Sequence, residues 1–267
     1  MNKQLKFRFI LYGIPAFAGF AVFYIYPFFR TLYYSMINNT FQRNFVWFDN
    51  YIAVFNNQFF RLAMRNTLIF SFVGVLVLML ISLLLSYALF TYARHLEFVK
   101  NMLLAPLIVP TASIIFVWQL AFPHSGTWPA VPIYLLYFWK YTGLTIIILG
   151  AAIVGIDNSI TEAAKMDGAG SMKIFKRITL PLITPSLSFV VVLSFANSLR
   201  IFRESFLFFG TSWPPDAAYT VQFWMNNNFQ RLNYPALASG SVLFALIVTV
   251  VLLVIYIWEN KYSEKIF

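Results

Sequence analysis

Four ionisable residues, Lys140, Arg200, Arg203 and Glu204, stand inside or at the ends of long apolar stretches. An ionised side chain at the centre of a membrane-spanning helix costs about 2.5–3.5 kcal/mol on insertion scales, so such groups face a cavity or a partner. Arg200 and Arg203 are three positions apart and would share one helical face, with Ser194, Asn197 and Ser198 about one turn earlier. This chemistry is not catalytic. It suits the wall of a path for a polar solute, with Lys140, Asn197, Arg200, Arg203 and Glu204 as candidate lining. The competing reading is that the long basic side chains snorkel to lipid headgroups.

Covalent and metal chemistry find little support. The chain has no cysteine, which excludes disulfides, thiolate metal sites and cysteine nucleophiles together. Two histidines, His95 and His124, are too few for a histidine metal cluster. There is no HExxH zinc motif, GxSxG elbow or convergent acidic cluster, and no Walker loop to cradle phosphates. No catalytic residue, metal or cofactor is therefore expected in this chain. An ion-coupled secondary transporter is one class to weigh for such residues. Such proteins often carry inverted repeats and midplane acidic residues, and neither is visible in the apolar spans here.

The most informative stretch is NSITEAAKMDGAGSMKIFKRITLPLITP, residues 158–185. Taken residue by residue, it is two short helices joined by a glycine turn. Ser159 or Thr161 could cap the first helix, and Glu162 would sit in its first turn, where the helix dipole favours negative charge. Asp167-Gly168-Ala169-Gly170 breaks it, since glycine reaches backbone angles other residues avoid. The second helix offers Met172, Ile174, Phe175 and Ile178 between Lys173, Lys176 and Arg177. Pro181 and Pro185 then set the entry into the next apolar run. A compact helix–turn–helix of this kind is a docking surface by shape alone.

The elements that carry these residues are set by composition. Of 267 residues, 60% are hydrophobic and only 10% charged, whereas soluble domains run near a quarter charged. A helix needs roughly 20 apolar residues to cross a bilayer core of about 30 Å. Six runs qualify, at 9–28, 67–93, 102–122, 131–156, 182–203 and 239–258, with the helical hairpin at 159–181 between the fourth and fifth. The third holds Pro106 and Pro110, which would kink it. The first resembles a signal peptide, but it is too long and lacks a small-residue cleavage site, so a retained span is expected. The segment 31–66 reads as partly helical and amphipathic, and Asn226, Asn227 and Asn228 as a polar external stretch, a solvated loop or a contact for a partner protein.

The net charge of +10 suits cytoplasmic flanks and anionic headgroups rather than nucleic acid, because no basic stripe interleaved with aromatics appears. With both termini inside, the inner flanks hold eleven of the nineteen basic residues: Lys3, Lys6, Arg8, Arg94, Lys100, Lys165, Lys173, Lys176, Arg177, Lys261 and Lys265. That bias sets the expected orientation. Tyr24, Tyr26, Trp118, Trp139 and Trp258 lie near run ends, as interfacial anchors do.

The hairpin resembles the EAA motif of permeases in binding-protein-dependent ABC importers: Glu-Ala-Ala, three residues, Gly, nine residues, Ile, one residue, Leu-Pro. Here those positions are Glu162, Ala163, Ala164, Gly168, Ile178, Leu180 and Pro181. The Asp167-Gly168-Ala169 turn is similar to that of the sugar-type, maltose-transporter-like subclass. Asn66-Thr67, Trp118, and Trp139-Lys140 with Gly143 extend the resemblance along the chain. Two departures are a short link after the third run and Gly-Thr-Ser-Trp-Pro-Pro at 210–215 in place of the usual Gly-Gly-Pro turn.

The resemblance implies an all-α type I importer permease fold of six spans in a bacterial-type cell (inner) membrane. It implies a second permease subunit, a different chain, beside this one. It also implies a cytoplasmic ATPase dimer that binds ATP and Mg, and an extracytoplasmic solute-binding protein. The residues it assigns to ATPase coupling are Glu162, Ala163, Ala164, Asp167, Gly168, Phe175, Ile178, Leu180 and Pro181. A mono-, oligo- or polysaccharide is the implied solute, and the basic cluster admits an acidic one.

Overall fold

A computed structural model describes residues 13–92, 96–122 and 128–263. The start of the first apolar run, Lys3, Lys6, Arg8, Ala93, Arg94, His95, His124 and Lys265 lie outside the described residues. Among those described, the chain is helical throughout, apart from turns and one isolated β-bridge between Ile37 and Phe45. Two compact units are present, one from Met1–Arg61 with Trp224–Ile247 and the other from Leu62–Phe223 with Val248–Phe267.

In the first unit, α1 spans residues 13–35 and widens to a π-turn at Ala21–Ile25. The turn that follows is fixed by side chains. Asn50 Nδ2, on α2 (Asp49–Asn56), donates to the carbonyls of Ser35 and Ile37 at 3.0 and 2.8 Å, satisfying groups the end of α1 leaves unpaired. Phe60 packs edge-on against Trp224, their centroids 4.8 Å apart.

The second unit positions the candidate site. Helix α3 (Gln58–Tyr92) begins nine residues before the apolar run and carries it into this unit. After α4 (Leu96–Ile108), the chain turns at Val109-Pro110 into α5 (Thr111–Ala121), and the two helices meet at 92°. A single kinked third span was expected from 102–122. The structure has a break instead, because Pro110 cannot donate to Pro106 and forces the residue before it out of helical angles.

Helix α6 (Val131–Val154) is the axis of this unit, and it packs on α4 and on α9 (Thr184–Leu199). Gly143 lets α6 and α4 close, since a Cβ there would overlap the Leu103 backbone carbonyl. Leu136, Tyr137, Phe70, Leu78, Ile114 and Phe208 form the centre of the apolar core. α6 leads through α7 (Asn158–Met166) to α8, which runs from Ser171–Ile174 through a π-turn at Phe175–Thr179 to Leu180–Leu182.

The fifth run also departs from expectation. α9 stops at Leu199, and α10 (Phe202–Phe209) carries on six residues past the predicted end at 203. The stretch with Asn226–Asn228 is no loop either. It belongs to α11 (Val221–Gln230), where Asn227 is buried and Asn228 Nδ2 donates back to the Trp224 carbonyl at 2.9 Å. Finally, α12 is Tyr234–Ser263.

Four helical segments among the described residues are long and apolar enough to cross a bilayer: Gln58–Thr91, Val131–Val154, Thr184–Phe209 and Tyr234–Ile257. The bent α4–α5 pair makes a fifth if counted as one span.

Candidate functional site

The break between α9 and α10 decides where the charges go. Arg200 and Ile201 form a turn between α9 and α10 while keeping right-handed helical angles. The restart places Glu204 in the first turn of α10, where unpaired backbone amides favour a carboxylate. Glu204 is 3% exposed. Its Oε1 accepts from Lys140 Nζ, which α6 delivers from its buried face. Each charge would be costly alone in this setting, and the pair removes most of that cost.

Arg203 turns outward from this pair, its side chain 70% exposed and its Nη2 4.0 Å from Glu204 Oε1. The same Nη2 donates to Thr111 Oγ1 at 2.8 Å, the residue that opens α5 after Pro110. Lys140 and Arg203 line a cavity of about 510 Å³ with Leu107, Val109, Pro110 and Leu207, so the broken third run forms its wall. Arg200 is exposed, and among the described ion pairs it makes none with Glu204.

The polar residues upstream are used in helix packing. Ser198 Oγ meets Ser71 Oγ of α3 at 2.8 Å, and the Ser194 carbonyl accepts from Tyr137 Oη at 2.8 Å. Asn197 is buried among them.

The structure brings Lys140, Arg203 and Glu204 together and leaves Arg200 and Asn197 outside their contacts. Thr111 was missed. Its signal was Val109-Pro110-Thr111, a proline followed by a residue able to accept from a cation.

The second site is the hairpin. Asp157, not Ser159 or Thr161, caps α7: its Oδ1 accepts from the Ser159 backbone N–H at 2.9 Å. That hydrogen bond holds the Asp157 carboxyl below the usual carboxylate range. Glu162 therefore lies beyond the first turn of α7, exposed, with Ala163 beside it. An Asp immediately before Asn-Ser is itself an N-cap signal. Gly168 takes φ +75°, which makes the turn into α8. Met166 and Met172 flank that turn at 83% and 63% exposure.

α8 looks inward. Ile174 is buried, and Phe175 packs on Tyr87 of α3 at 4.6 Å, so part of the apolar face of α8 is applied to a span root while Met172 stays exposed. The Leu180 amide donates to the Phe175 carbonyl across the π-turn, just before Pro181, which has no amide to give. Ile178, Leu180 and Pro181 are half-buried along this segment. Beneath the hairpin a cavity of about 470 Å³ is lined by Tyr87, Phe90, Asn158, Thr161, Lys165 and Ser171, among others.

The structure also gives Asn66-Thr67 a role. Asn66 Nδ2 donates to the carbonyls of Asp216 and Tyr219, and Thr67 Oγ1 accepts from the Val221 amide at 2.9 Å. Trp213 stacks on Tyr219, 5.5 Å between centroids and 5° between planes. The segment that replaces the usual glycine-rich turn is thus tied to α3.

Residues 97–266 match the family described as the binding-protein-dependent transport system inner membrane component. The arabinooligosaccharides transport system permease protein AraP of Bacillus subtilis (strain 168) is 28% identical over 288 residues, covering 95% of this chain and 87% of that protein. The sn-glycerol-3-phosphate transport system permease protein UgpA of Salmonella typhimurium (strain LT2) is 27% identical over 275 residues, covering 91% and 90%. Among solved structures, a chain of a bacterial alginate ABC transporter, in complex with alginate pentasaccharide-bound periplasmic protein, superposes with TM-score 0.79. That match covers 99% of this chain and 97% of the other at 22% identity, and at that level it speaks for the fold.

Proposed function

Because this chain belongs to the family of inner-membrane components of binding-protein-dependent transport systems, we propose that it forms half of the translocation path of a sugar importer. It is a multi-pass membrane permease, and family membership displaces the ion-coupled alternative. The six spans are α1, α3, the α4–α5 pair, α6, α9–α10 and α12. Both termini face the cytoplasm, which puts the Asn158–Gly170 hairpin on the inner side and the Lys140–Arg203 cavity toward the outer side.

The observation that carries this reading is the exposed hairpin, in which Glu162, Ala163 and Gly168 keep the motif spacing and Gly168 adopts φ +75°. A short helix, exposed on its flanks and joined to the bundle by glycine, can seat in a groove of a cytoplasmic ATPase. α8 is the lever: Phe175 on Tyr87 and the Tyr87 hydroxyl on the Ser171 carbonyl tie it to α3, so motion of the hairpin is passed to the long helix. ATP and Mg are held by the ATPase dimer. A second permease, a different chain, completes the path, and an extracytoplasmic binding protein delivers the solute. Sugar is supported as the solute by the arabinooligosaccharide relative, and by the hairpin's likeness to the sugar-type motif. The path lining is assigned to Lys140, Asn197, Arg200, Arg203 and Glu204, of which Lys140 and Arg203 line the cavity.

The test is co-purification in mild detergent with the genomically neighbouring proteins. Wild type should retain an ATPase and a second permease, and Glu162→Ala combined with Gly168→Pro should lose the ATPase while keeping the permease. A wild-type chain that stays folded yet retains no ATPase would reduce the hairpin to a structural turn. Charge reversal at Arg203 should lower uptake without detaching the ATPase.

A further inference from the structure

On the reading that the Lys140–Arg203 cavity belongs to the translocation path, we infer that the path takes a solute bearing an anionic group, a carboxylate or a phosphate, and that Arg203 binds that group. The cavity wall is apolar at Leu107, Val109 and Leu207 and cationic at Lys140 and Arg203. These two cations are not equivalent. Lys140 is held by Glu204, with side chains only 10% and 4% exposed, so its charge is already answered.

Arg203 is not answered in this way. Its side chain is 70% exposed, and it lies 4.0 Å from a carboxylate oxygen that Lys140 already engages. Among the described residues, it donates a hydrogen bond to a neutral hydroxyl, Thr111 Oγ1. A guanidinium carries five N–H donors in a planar fork, and carboxylate or phosphate oxygens match two of them at once. Sugar hydroxyls satisfy the donors singly and leave the charge unbalanced. The cavity thus presents one excess positive charge, which concentrates anions there. Glu204 keeps the lysine neutralised, and Thr111 holds the arginine at the wall.

The absence of cysteine from this chain permits a direct test. Ala112, at the cavity wall and exposed, is replaced by Cys in the complete transporter. Labelling of this chain is then followed with an anionic sulfonatoethyl methanethiosulfonate and its cationic trimethylammonium counterpart. Each rate is normalised to that of a small free thiol.

The anionic reagent should react about tenfold faster than the cationic one, in line with electrostatic focusing in a cleft. Arg203→Gln should abolish the preference, and Arg203→Lys should keep most of it. Trigalacturonate or glycerol 3-phosphate should protect the thiol, the protecting compound naming carboxylate or phosphate, while maltotriose should not.

Labelling by neither reagent would remove the cavity from the path and overturn the reading on which the inference rests. Labelling by both at equal rates would keep the path and overturn the anion site. Protection by maltotriose alone, or by none of the three, would also overturn it.

Discussion

Lys140 of α6 and Glu204 of α10 stand 64 positions apart in sequence and form a buried ion pair. The pair joins the axis of the second unit to the helix that restarts after Ile201. It also sets Arg203, the residue just before Glu204, as the exposed charge of the cavity wall.

Removing one member of such a pair leaves the other buried and uncompensated. Glu204→Gln or Lys140→Met should each cost about 3–5 kcal/mol of stability, whereas the double replacement by methionine should come back to wild type or exceed it. Thermal unfolding of the detergent-solubilised protein reads both. Equal loss in the double and single variants would mean that the pair carries more than its own electrostatics.

Gly143 and Gly150 both lie on α6, but their neighbours differ. A Cβ at Gly143 meets the Leu103 backbone, which cannot yield, while one at Gly150 meets the Phe90 ring, which can turn. Gly143→Ala should therefore lower stability by about 1–3 kcal/mol, as overpacking does, and Gly150→Ala by less. Melting temperatures of the two variants, measured side by side, check the order.

Asp157 is predicted to be the residue that holds the start of α7. Asp157→Ala should speed amide exchange at residues 158–161, whereas Thr161→Ala should leave it unchanged, because the Thr161 hydroxyl donates to the Asn158 carbonyl and holds no amide of the first turn. The carboxyl is held below its usual range in the folded hairpin. Its contribution is therefore present above the unfolded carboxyl pKa of about 3.9 and is lost as the pH falls through the lower folded value. Asp157→Asn, which caps without ionising, should show no such loss on acidification.

Asn66 holds the 216–219 turn through two donated hydrogen bonds. Asn66→Ala should cost about 0.5–1.5 kcal/mol for each bond lost, and limited proteolysis should cut residues 210–220 sooner. Asn66→Asp should be worse than alanine, since it sets a carboxylate against two carbonyl oxygens. A protease-resistant Asn66→Asp would show that the stack of Trp213 on Tyr219 suffices.

What the sequence determined by itself is whatever local composition dictates. Apolar runs long enough to span a bilayer marked the helices Val131–Val154 and Tyr234–Ile257 within a few residues, because hydropathy and helix length act along a single segment. The motif from Glu162 to Pro181 pointed to the family, since its spacing is contiguous and Gly168 announces its own turn.

Tertiary structure decided the rest. Pro110 predicted a disturbance, but not that the chain would turn by 92° and bring Thr111 to Arg203, 92 positions away. No spacing rule pairs Lys140 with Glu204 or Asn66 with Asp216. Asn226–Asn228 read as a solvated loop because polarity is local, whereas the burial of Asn227 comes from helix packing. Each of these outcomes depends on which distant groups are left to satisfy a buried charge or hydrogen bond, and only the packed helices bring those groups within reach.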